Sequence, residues 1–187
     1  LIAAPIATVG DESTWREVIP HRSSVFLTDA DVFSKYLVVS ERREATRRLR
    51  VIPWSGDGEH EIEFPEAVHV VHAGDNPEFD THTLRLVYSS PITPNSVFDY
   101  DMNARTRQLL KQDQVLGGFD PATYETHRLW AQARDGEKIP ISVVAPKGFA
   151  RPGTPTTELA YVSSSASASM TQTIGAGAET RTISSPG

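Results

Sequence analysis

The 187-residue sequence contains no cysteine, which excludes disulfides, thiolate nucleophiles and cysteine-ligated zinc. It also has no excess of positive charge, because 18 lysines and arginines stand against 24 aspartates and glutamates, for a formal net charge of −6. Binding to nucleic acid or to anionic membranes usually rests on a basic surface. We therefore expect neither nucleic acid nor membrane among its partners.

Long hydrophobic runs are missing as well, since no stretch approaches the roughly 18 apolar residues that a membrane-spanning helix needs. The hydrophobic content of 39% is that of a soluble globular protein. The chain opens with Leu1 instead of methionine, and no basic region precedes the apolar residues as in a signal peptide. We expect further sequence upstream, and a cytoplasmic or periplasmic location.

Short strand-like runs dominate the first 115 residues. After two weak runs in residues 1–22, two groups of four follow, each rich in β-branched and aromatic residues and each bounded by polar or glycine turns. The groups repeat after about 45 residues, the length of one four-stranded propeller blade. The pattern predicts a mainly β fold containing part of a β-propeller. The predicted strands are 25–33, 35–44, 47–54 and 60–64, then 67–74, 83–91, 96–102 and 107–115.

The regular spacing ends at Gly117-Gly118, and a different unit follows. Residues 128–134 and 138–144 read as two strands joined by an Asp135-Gly136 turn, which is a strong hairpin signal. Pro140 lacks a backbone donor, so we expect it at an edge or facing away from a partner strand. A two-stranded ribbon is marginal alone, and the sequence shows no clear further strand for it to join.

From Arg151 the composition changes to serine, alanine, threonine, proline and glycine. Such a segment buries too little apolar surface to offset its ordering entropy, so residues 151–187 are predicted to be a disordered tail.

Several polar groups were weighed as sites. His69 and His72, with His60 and His82 nearby, suggest a metal site, but side chains three apart on a strand point to opposite faces, so solvent-facing or turn histidines are favoured. For two other groups of acidic residues, a structural interpretation is likewise preferred to a functional one. Asp99 and Asp101 share a strand face suited to acid/base chemistry, yet carboxylates on the polar face of a blade are the preferred interpretation. Asp75–Glu78 is predicted to be a turn instead of a calcium loop.

The basic run of Arg42, Arg43, Arg47, Arg48 and Arg50 is interpreted as a solvated loop between two strands, with a phosphate-binding patch as the alternative. Four aromatic residues are assigned to packing, because aromatics supply large buried areas. For one of them, Trp130, peptide stacking is the alternative. The four are Trp54, Phe119, Tyr124 and Trp130.

Six short segments together resemble the prolyl oligopeptidase family of serine peptidases, and within it the oligopeptidase B branch. The likeness covers about residues 1–150. It implies a seven-bladed propeller that caps an α/β-hydrolase domain and admits only short peptides, which oligopeptidase B cleaves after arginine or lysine. The segments are Val18–His21, Phe64–Glu66, Tyr88–Pro94, Gly117–Asp120, Tyr124–Trp130 and Arg134–Gly136.

On this resemblance, residues 1–120 are the last two to three propeller blades, residues 121–150 are the hinge and first hairpin of the hydrolase domain, and 151–187 are the tail. The abrupt start of the tail suggests a reading-frame shift near 151–159. Short peptides with basic residues are the partners implied for the parent enzyme.

The family's chemistry needs a serine in a Gly-x-Ser-x-Gly elbow followed by an aspartate and a histidine. No such elbow is present, since Ser163–Ser165 and Ser184-Ser185 lie in no Gly-x-Ser-x-Gly pattern and precede no usable histidine, and Tyr161 is not assigned the family's oxyanion-binding role. We predict no catalytic, cofactor-binding or metal-binding residue, no cofactor, and no activity of the chain alone. Two alternatives stay open: a non-catalytic propeller module that binds partners or self-associates through open blade edges, and an unrelated β domain.

Overall fold

The computed structural model describes residues 1–148, 161–164, 170–172 and 181–183. Antiparallel strands make up most of the described chain, with single turns of 3-10 helix at Ile6–Thr8, Glu12–Thr14 and Pro121–Thr123. No helix in the described part is long and apolar enough to cross a membrane. The strands are β1 (Ile2–Ala3), β2 (Arg16–Glu17), β3 (Val25–Val32), β4 (Tyr36–Arg43), β5 (Thr46–Pro53), β6 (His60–Glu61), β7 (Val70–Ala73), β8 (Thr83–Ser89), β9 (Ser96–Asp101), β10 (Thr106–Gln112), β11 (Tyr124–Gln132), β12 (Lys138–Pro146), β13 (Tyr161–Ser164), β14 (Met170–Gln172) and β15 (Arg181–Ile183).

The first predicted group forms a four-stranded sheet in the order β3-β4-β5-β6, the first blade. β4 and β5 are joined at Glu44 and Ala45, whose φ angles of 52° and 59° lie in the left-handed region typical of two-residue hairpin turns. The β5–β6 connection turns at Gly56 and Gly58, with φ of 89° and 86°. The predicted glycine hairpin is therefore confirmed, because only glycine adopts these angles without strain.

The second group forms the sheet β7-β8-β9-β10, the second blade, again with neighbours in sequence paired antiparallel. In the predicted turn after β7, the Asn76 amide extends the ladder. Its Oδ1 accepts from the Arg85 amide at 2.7 Å, and its Nδ2 donates to the Gly74 carbonyl at 2.8 Å. The side chain thus takes the place of a backbone partner where β7 has ended. A two-stranded sheet of β1 and β2 precedes the two blades.

An apolar core lies between the two blades. Val38, Leu49 and Val51 of the first blade are fully buried in one cluster with Leu84 and Leu86 of the second. Each such side chain stabilises the fold by roughly 1.5 to 3 kcal/mol through its removal from water. The predicted partial propeller, built from consecutive four-stranded blades, is confirmed.

The opposite face of the first blade is also buried. Leu37 and Val39 of β4 pack there with Ile19 from the segment that follows β2. A strand buried on both faces has no polar side to alternate with its apolar one. This explains why residues 36–39 of β4 read Tyr-Leu-Val-Val, an unbroken run in which every residue is buried.

The arginine-rich run is not a solvated loop, so that interpretation is wrong. Arg42 and Arg43 lie in β4, and the other three lie in β5. Glu61 of β6 accepts from Arg43 at 3.1 Å and from Arg48. The turn itself is only Glu44-Ala45. The strand pairing brings three of the five arginines, Arg43, Arg48 and Arg50, next to carboxylates.

Glu41 of β4 is the buried centre of this charged network, with 4% exposure. Its Oε1 accepts from Arg50 of β5 at 2.7 Å and also from Arg22. Arg50 in turn donates to Glu59 at 2.6 Å. Since Arg22 belongs to the segment before β3, the carboxylate ties that segment to the face of the first blade.

The hairpin predicted after the glycine pair is also present, with Gly136 at φ 91° in its turn. The expectation that no strand follows it is wrong, because β13 pairs with β12 over residues 141–144 and makes a three-stranded sheet. The Ala133 amide donates to the Glu137 carbonyl, so these two residues form a hydrogen-bonded pair. Hydrogen-bonded and non-hydrogen-bonded pairs alternate along an antiparallel ladder, which puts Pro140 at a non-hydrogen-bonded position opposite Trp130. Pro140 also lies outside the β12–β13 pairing, so its missing donor faces away from a partner, as predicted.

The predicted disordered tail contains short strands: β13, and β14 paired with β15. At these residues the structure departs from the prediction. The rest of 151–187 lies outside the described residues, where disorder stays a prediction.

The Glu41 network leads to a stability prediction. We expect Glu41→Ala to lower the free energy of unfolding by about 3 kcal/mol, because it removes the buried carboxylate that pairs with Arg22 and Arg50 and leaves Arg50 with Glu59 alone. Urea unfolding followed by fluorescence measures the change. The exposed Glu63 is the matched control, and Glu63→Ala should stay within about 0.5 kcal/mol of the unaltered chain. Equal effects of both changes would show that the network adds no stability.

Candidate functional site

A polar cavity of about 310 Å³ opens between the two blades. Its first wall comes from β3, β4 and β5 of the first blade, and its second from residues 71–74 of the second blade. Carboxylates of Asp29 and Asp31 line it together with the guanidinium groups of Arg47 and Arg48. The cavity therefore presents both signs of charge within one space.

A β-bulge in β3 aims the two aspartates at this cavity. The register with β4 shifts between Leu27 and Asp29, so that Thr28 is the extra residue. After the shift Asp29 lies opposite Ser40 and Asp31 opposite Val38, on the face that packs towards the second blade. Bulges commonly redirect side chains in this way. The alternation of Thr28-Asp29-Ala30-Asp31 is the sequence signal for this pair, but it does not stand out within a predicted strand because the bulge at Thr28 is not visible in the sequence.

Asp31 is the most perturbed carboxyl of the cavity. Burial raises its pKa, and the neighbouring charge of Asp29 raises it further. Its Oδ2 is inaccessible and accepts no hydrogen bond within the described part of the chain. Asp29 differs, because its Oδ1 accepts from the backbone amide of Ala30 at 2.8 Å. The arrangement can hold a polar or charged group, but it contains no nucleophile paired with a base.

A second polar cluster is centred on Glu66, which lies in the Phe64–Glu66 segment. The Glu66 carboxylate accepts from the hydroxyls of Tyr88 and Thr93. Phe64 stacks on Tyr88 with ring centroids 4.4 Å apart, and the Arg107 guanidinium lies 4.9 Å from the centre of the Phe64 ring. Two of the segments that carry the family resemblance, Phe64–Glu66 and Tyr88–Pro94, thus meet in space. Their side chains hold the connection between the blades against the second blade.

The four histidines do not assemble into a metal site. Among the residues that the structure describes, no group of three or more histidine, aspartate or glutamate side chains could hold a metal ion. His60 and His69 are not simply solvent-facing, since His60 Nδ1 contacts the Gly58 carbonyl at 2.9 Å and His69 Nδ1 contacts the Glu66 carbonyl at 2.7 Å. His72 is exposed, and His82 lies 3.6 Å from an Asp101 carboxylate oxygen.

Asp99 and Asp101 serve the blade itself. Asp99 forms a two-pronged pair with Arg85, with nitrogen to oxygen distances of 2.9 and 3.0 Å. Asp101 accepts hydrogen bonds from the backbone amides of Ala104 and Asn103 in the β9–β10 turn. The bond from Ala104 contributes most to lowering the pKa of Asp101, and the bond from Asn103 lowers it further. The preferred interpretation of both as polar-face residues agrees with these contacts.

The aromatic assignments hold only in part. Trp54 and Trp130 are 46% and 44% exposed, so burial in the described chain does not account for them. Trp54 does donate its indole N–H to the Phe33 carbonyl at 2.9 Å. Phe119 stacks on Tyr124 at a centroid distance of 5.7 Å, a packing contact between the segment after Gly117-Gly118 and the start of β11. The side chains of Tyr161 and Ser163–Ser165, considered above for catalysis, lie outside what the structure describes.

Comparison with protein families places residues 1–113 in the N-terminal β-propeller domain of prolyl oligopeptidase. The chain is 36% identical over 168 residues to dipeptidyl aminopeptidase BI of Pseudoxanthomonas mexicana, covering 87% of this chain and 23% of that protein. Two solved structures are similar. Oligopeptidase B of Trypanosoma brucei with covalently bound antipain, in a closed form, has a TM-score of 0.64 at 33% identity, over 75% of this chain and 21% of that one. Oligopeptidase B of Leishmania major has a TM-score of 0.66 at 34% identity, over 78% of this chain and 21% of that one.

The chain thus spans less than a quarter of the length of these relatives. The match includes both blades and extends past residue 113 in the longer comparisons, since those cover three quarters of the chain or more.

The Glu66 cluster leads to a prediction on pH dependence. Burial and the hydrogen bond to Glu66 raise the pKa of Tyr88 above its ordinary value of about 10. The native state therefore keeps this proton while the unfolded state loses it, so stability is fully present below about pH 10 and falls above it. We expect Tyr88→Phe to make that fall shallower, measured by urea unfolding between about pH 9 and 11.

Tyr124, the first residue of β11, supplies the control. Tyr124→Phe removes one phenol elsewhere in the chain, and it should leave the steepness of the alkaline loss as it is in the unaltered protein. If Tyr88→Phe leaves it equally unaltered, the Tyr88 proton does not contribute to stability.

Proposed function

Because the chain belongs to the prolyl oligopeptidase family, we propose that it supplies blades of the propeller in a serine-type oligopeptidase that cleaves short peptides after arginine or lysine. The observation that carries the proposal is the order of units: two consecutive blades, a glycine hinge, and then a separate sheet that starts with the β11–β12 hairpin. In our proposal residues 1–120 are blades and residues 121–150 are the hinge and first hairpin of the hydrolase domain. Disorder of the remaining tail and a cytoplasmic or periplasmic location stay predictions.

The preference for basic peptides rests on similarity. The two oligopeptidase B structures are more than 30% identical to this chain over three quarters of its length. The cavity between the blades does not add to this argument, because Arg47 and Arg48 line it together with Asp29 and Asp31. The blades themselves act by restricting access, in keeping with a propeller that encloses a central channel.

The chemical step is proposed to rely on residues outside these 187. A serine becomes a nucleophile only when an oriented imidazole accepts its proton, and the sequence has no serine in a Gly-x-Ser-x-Gly elbow. The neighbouring DNA is expected to encode that elbow, followed by an aspartate and a histidine. Absence of such a reading frame on either side would contradict this part of the proposal.

Turnover gives a direct test. We expect the 187-residue chain to release no more fluorophore than a blank from peptides that end in arginine or lysine, because it lacks the activated serine. Turnover that a serine-directed inhibitor abolishes would contradict the proposal.

A segment-replacement experiment tests whether these blades support cleavage after basic residues in a complete enzyme. Residues 1–148 replace the matching segment of Trypanosoma brucei oligopeptidase B, and the exchanged enzyme should still cleave after arginine in preference to proline. An exchanged enzyme with native circular dichroism and no such preference would show that these blades do not suit a basic-peptide enzyme.

Self-association is the second candidate function. All seven residues of β10 are exposed, including Leu109 and Leu110 at 48% and 46%. Within the described chain, β10 pairs only with β9, so one edge of the strand offers free amides and carbonyls. Unpaired strand edges with apolar side chains readily pair with another chain.

Light scattering as a function of concentration measures this association. We expect the average mass to rise above that of the monomer, and Leu110→Lys to suppress the rise because charge on an edge strand opposes pairing. Gln108→Lys adds the same charge to β10 but keeps both leucines, so a weaker suppression than with Leu110→Lys would measure the part that depends on the apolar side chain. A single monomeric species at every concentration would contradict the proposal.

A further inference from the structure

Arg128 of β11 makes one contact within its own sheet and one to the first blade. Its Nη1 donates to the Ser142 hydroxyl of β12 at 3.0 Å. Its Nη2 donates to the Thr46 hydroxyl at 2.9 Å, across 82 residues of sequence. One planar guanidinium therefore joins the sheet after the hinge to the propeller blade. Arg128 lies in the Tyr124–Trp130 segment, and neither the proposed chemistry nor the blade packing assigns it a role.

The acceptor on the blade is held rigidly. Thr46 is 5% exposed and is the first residue of β5, paired with Arg43 directly after the Glu44-Ala45 turn. Both turn residues adopt left-handed φ angles although neither is glycine. Surrounding structure must maintain such a turn, since each left-handed residue of this kind is disfavoured. The Thr46 hydroxyl consequently has a defined position relative to the blade.

The cation itself is only partly compensated. Both bonded acceptors are neutral hydroxyls, and the Arg128 Nε is inaccessible with no acceptor within the described chain. Burial lowers the pKa of Arg128, and the charge of Glu44 opposes that shift. A desolvated cation without a bonded carboxylate gains little net free energy from its contacts. The link is specific in geometry but weak, so its opening loosens the two segments that it joins without unfolding either sheet.

We propose that Arg128 is a positioning residue that aligns the β11–β12 sheet with the β4–β5 turn of the first blade through a releasable contact to Thr46. The two-armed geometry carries the inference. An arginine serving only its own hairpin needs the Ser142 contact alone, whereas the second arm transmits the position of the blade turn to β11. This role does not depend on the identity of the peptide substrate.

Hydrogen exchange on the full chain tests the link, followed separately for residues 124–132 and for residues 43–48. The variants are Arg128→Ala, Thr46→Val and the double change. A hydrogen bond contributes about 0.5 to 1.5 kcal/mol, so each single change should speed exchange in both segments by about two- to tenfold. The double change should add nothing further, because both single changes break the same contact.

Two matched variants complete the design. Arg134 is an exposed arginine in the same hairpin, and Arg134→Ala should leave exchange of residues 43–48 unchanged. Thr46→Ser keeps the hydroxyl and should exchange like the unaltered chain, in contrast to the nearly isosteric Thr46→Val. If Arg128→Ala fails to fold, the comparison of Thr46→Val with Thr46→Ser still tests the link. Arg128→Lys tests it as well, and it should speed exchange in both segments, because one ammonium on a flexible stem does not reproduce the two-armed fork.

Three results would overturn the proposal. Arg128→Ala could speed exchange only in residues 124–132, Thr46→Val could leave that segment unchanged, or the effects of the two changes could add in the double variant. Any of these would show that Arg128 acts as a cross-strand contact to Ser142 and does not align the sheet with the blade.

Discussion

The apolar interface between the two blades is the constraint on which the rest of the structure depends. Leu49 and Val51 of one sheet and Leu84 and Leu86 of the next are withdrawn from water together, and neither sheet buries that face alone. This requirement makes the two blades depend on each other, since each repeat buries that face only against its neighbour. It also decides which faces of β3 and β7 border the polar cavity, because that cavity lies at the edge of the same interface.

Polar groups near this core are retained where strand geometry supplies partners. Glu41 is nearly inaccessible, yet β5 places Arg50 beside it and the preceding segment brings Arg22. Glu66 likewise receives two hydroxyls from the connection and strand that the second blade provides. Unpaired charges at these depths would cost several kcal/mol, so the pairs specify how the segments dock even where their net stabilisation is small. Asp31 is the exception, with one carboxylate oxygen unpartnered in the described chain and a raised pKa.

Two kinds of packing lie on either side of Gly117-Gly118. Before Gly117-Gly118, both left-handed, the sheets meet face to face through apolar side chains. After it, the described contact of β11 with the first blade includes a hydrogen bond from an arginine to a threonine. A large apolar interface resists separation, whereas a small polar contact can open and close at little cost. The chain therefore combines a rigid pair of blades with a sheet whose position rests on weaker interactions.

The sequence alone determined the strands of the two blades and of the β11–β12 hairpin, the turns and the family resemblance, because these follow from local periodicity and from short segments whose spacing is visible in one dimension. The strand runs from residue 25 to 115 and the Asp135-Gly136 hairpin lie where the pattern predicts them. Only the tertiary structure decided which charges meet. The sequence indicated a solvated loop for Arg43, Arg48 and Arg50, whereas strand pairing places them beside the carboxylates of Glu41, Glu59 and Glu61. Nothing in the sequence near Arg128 indicates that its partner lies 82 residues away. Periodicity encodes which face of a strand is apolar, but the partner of a polar side chain depends on register and on the packing of distant segments.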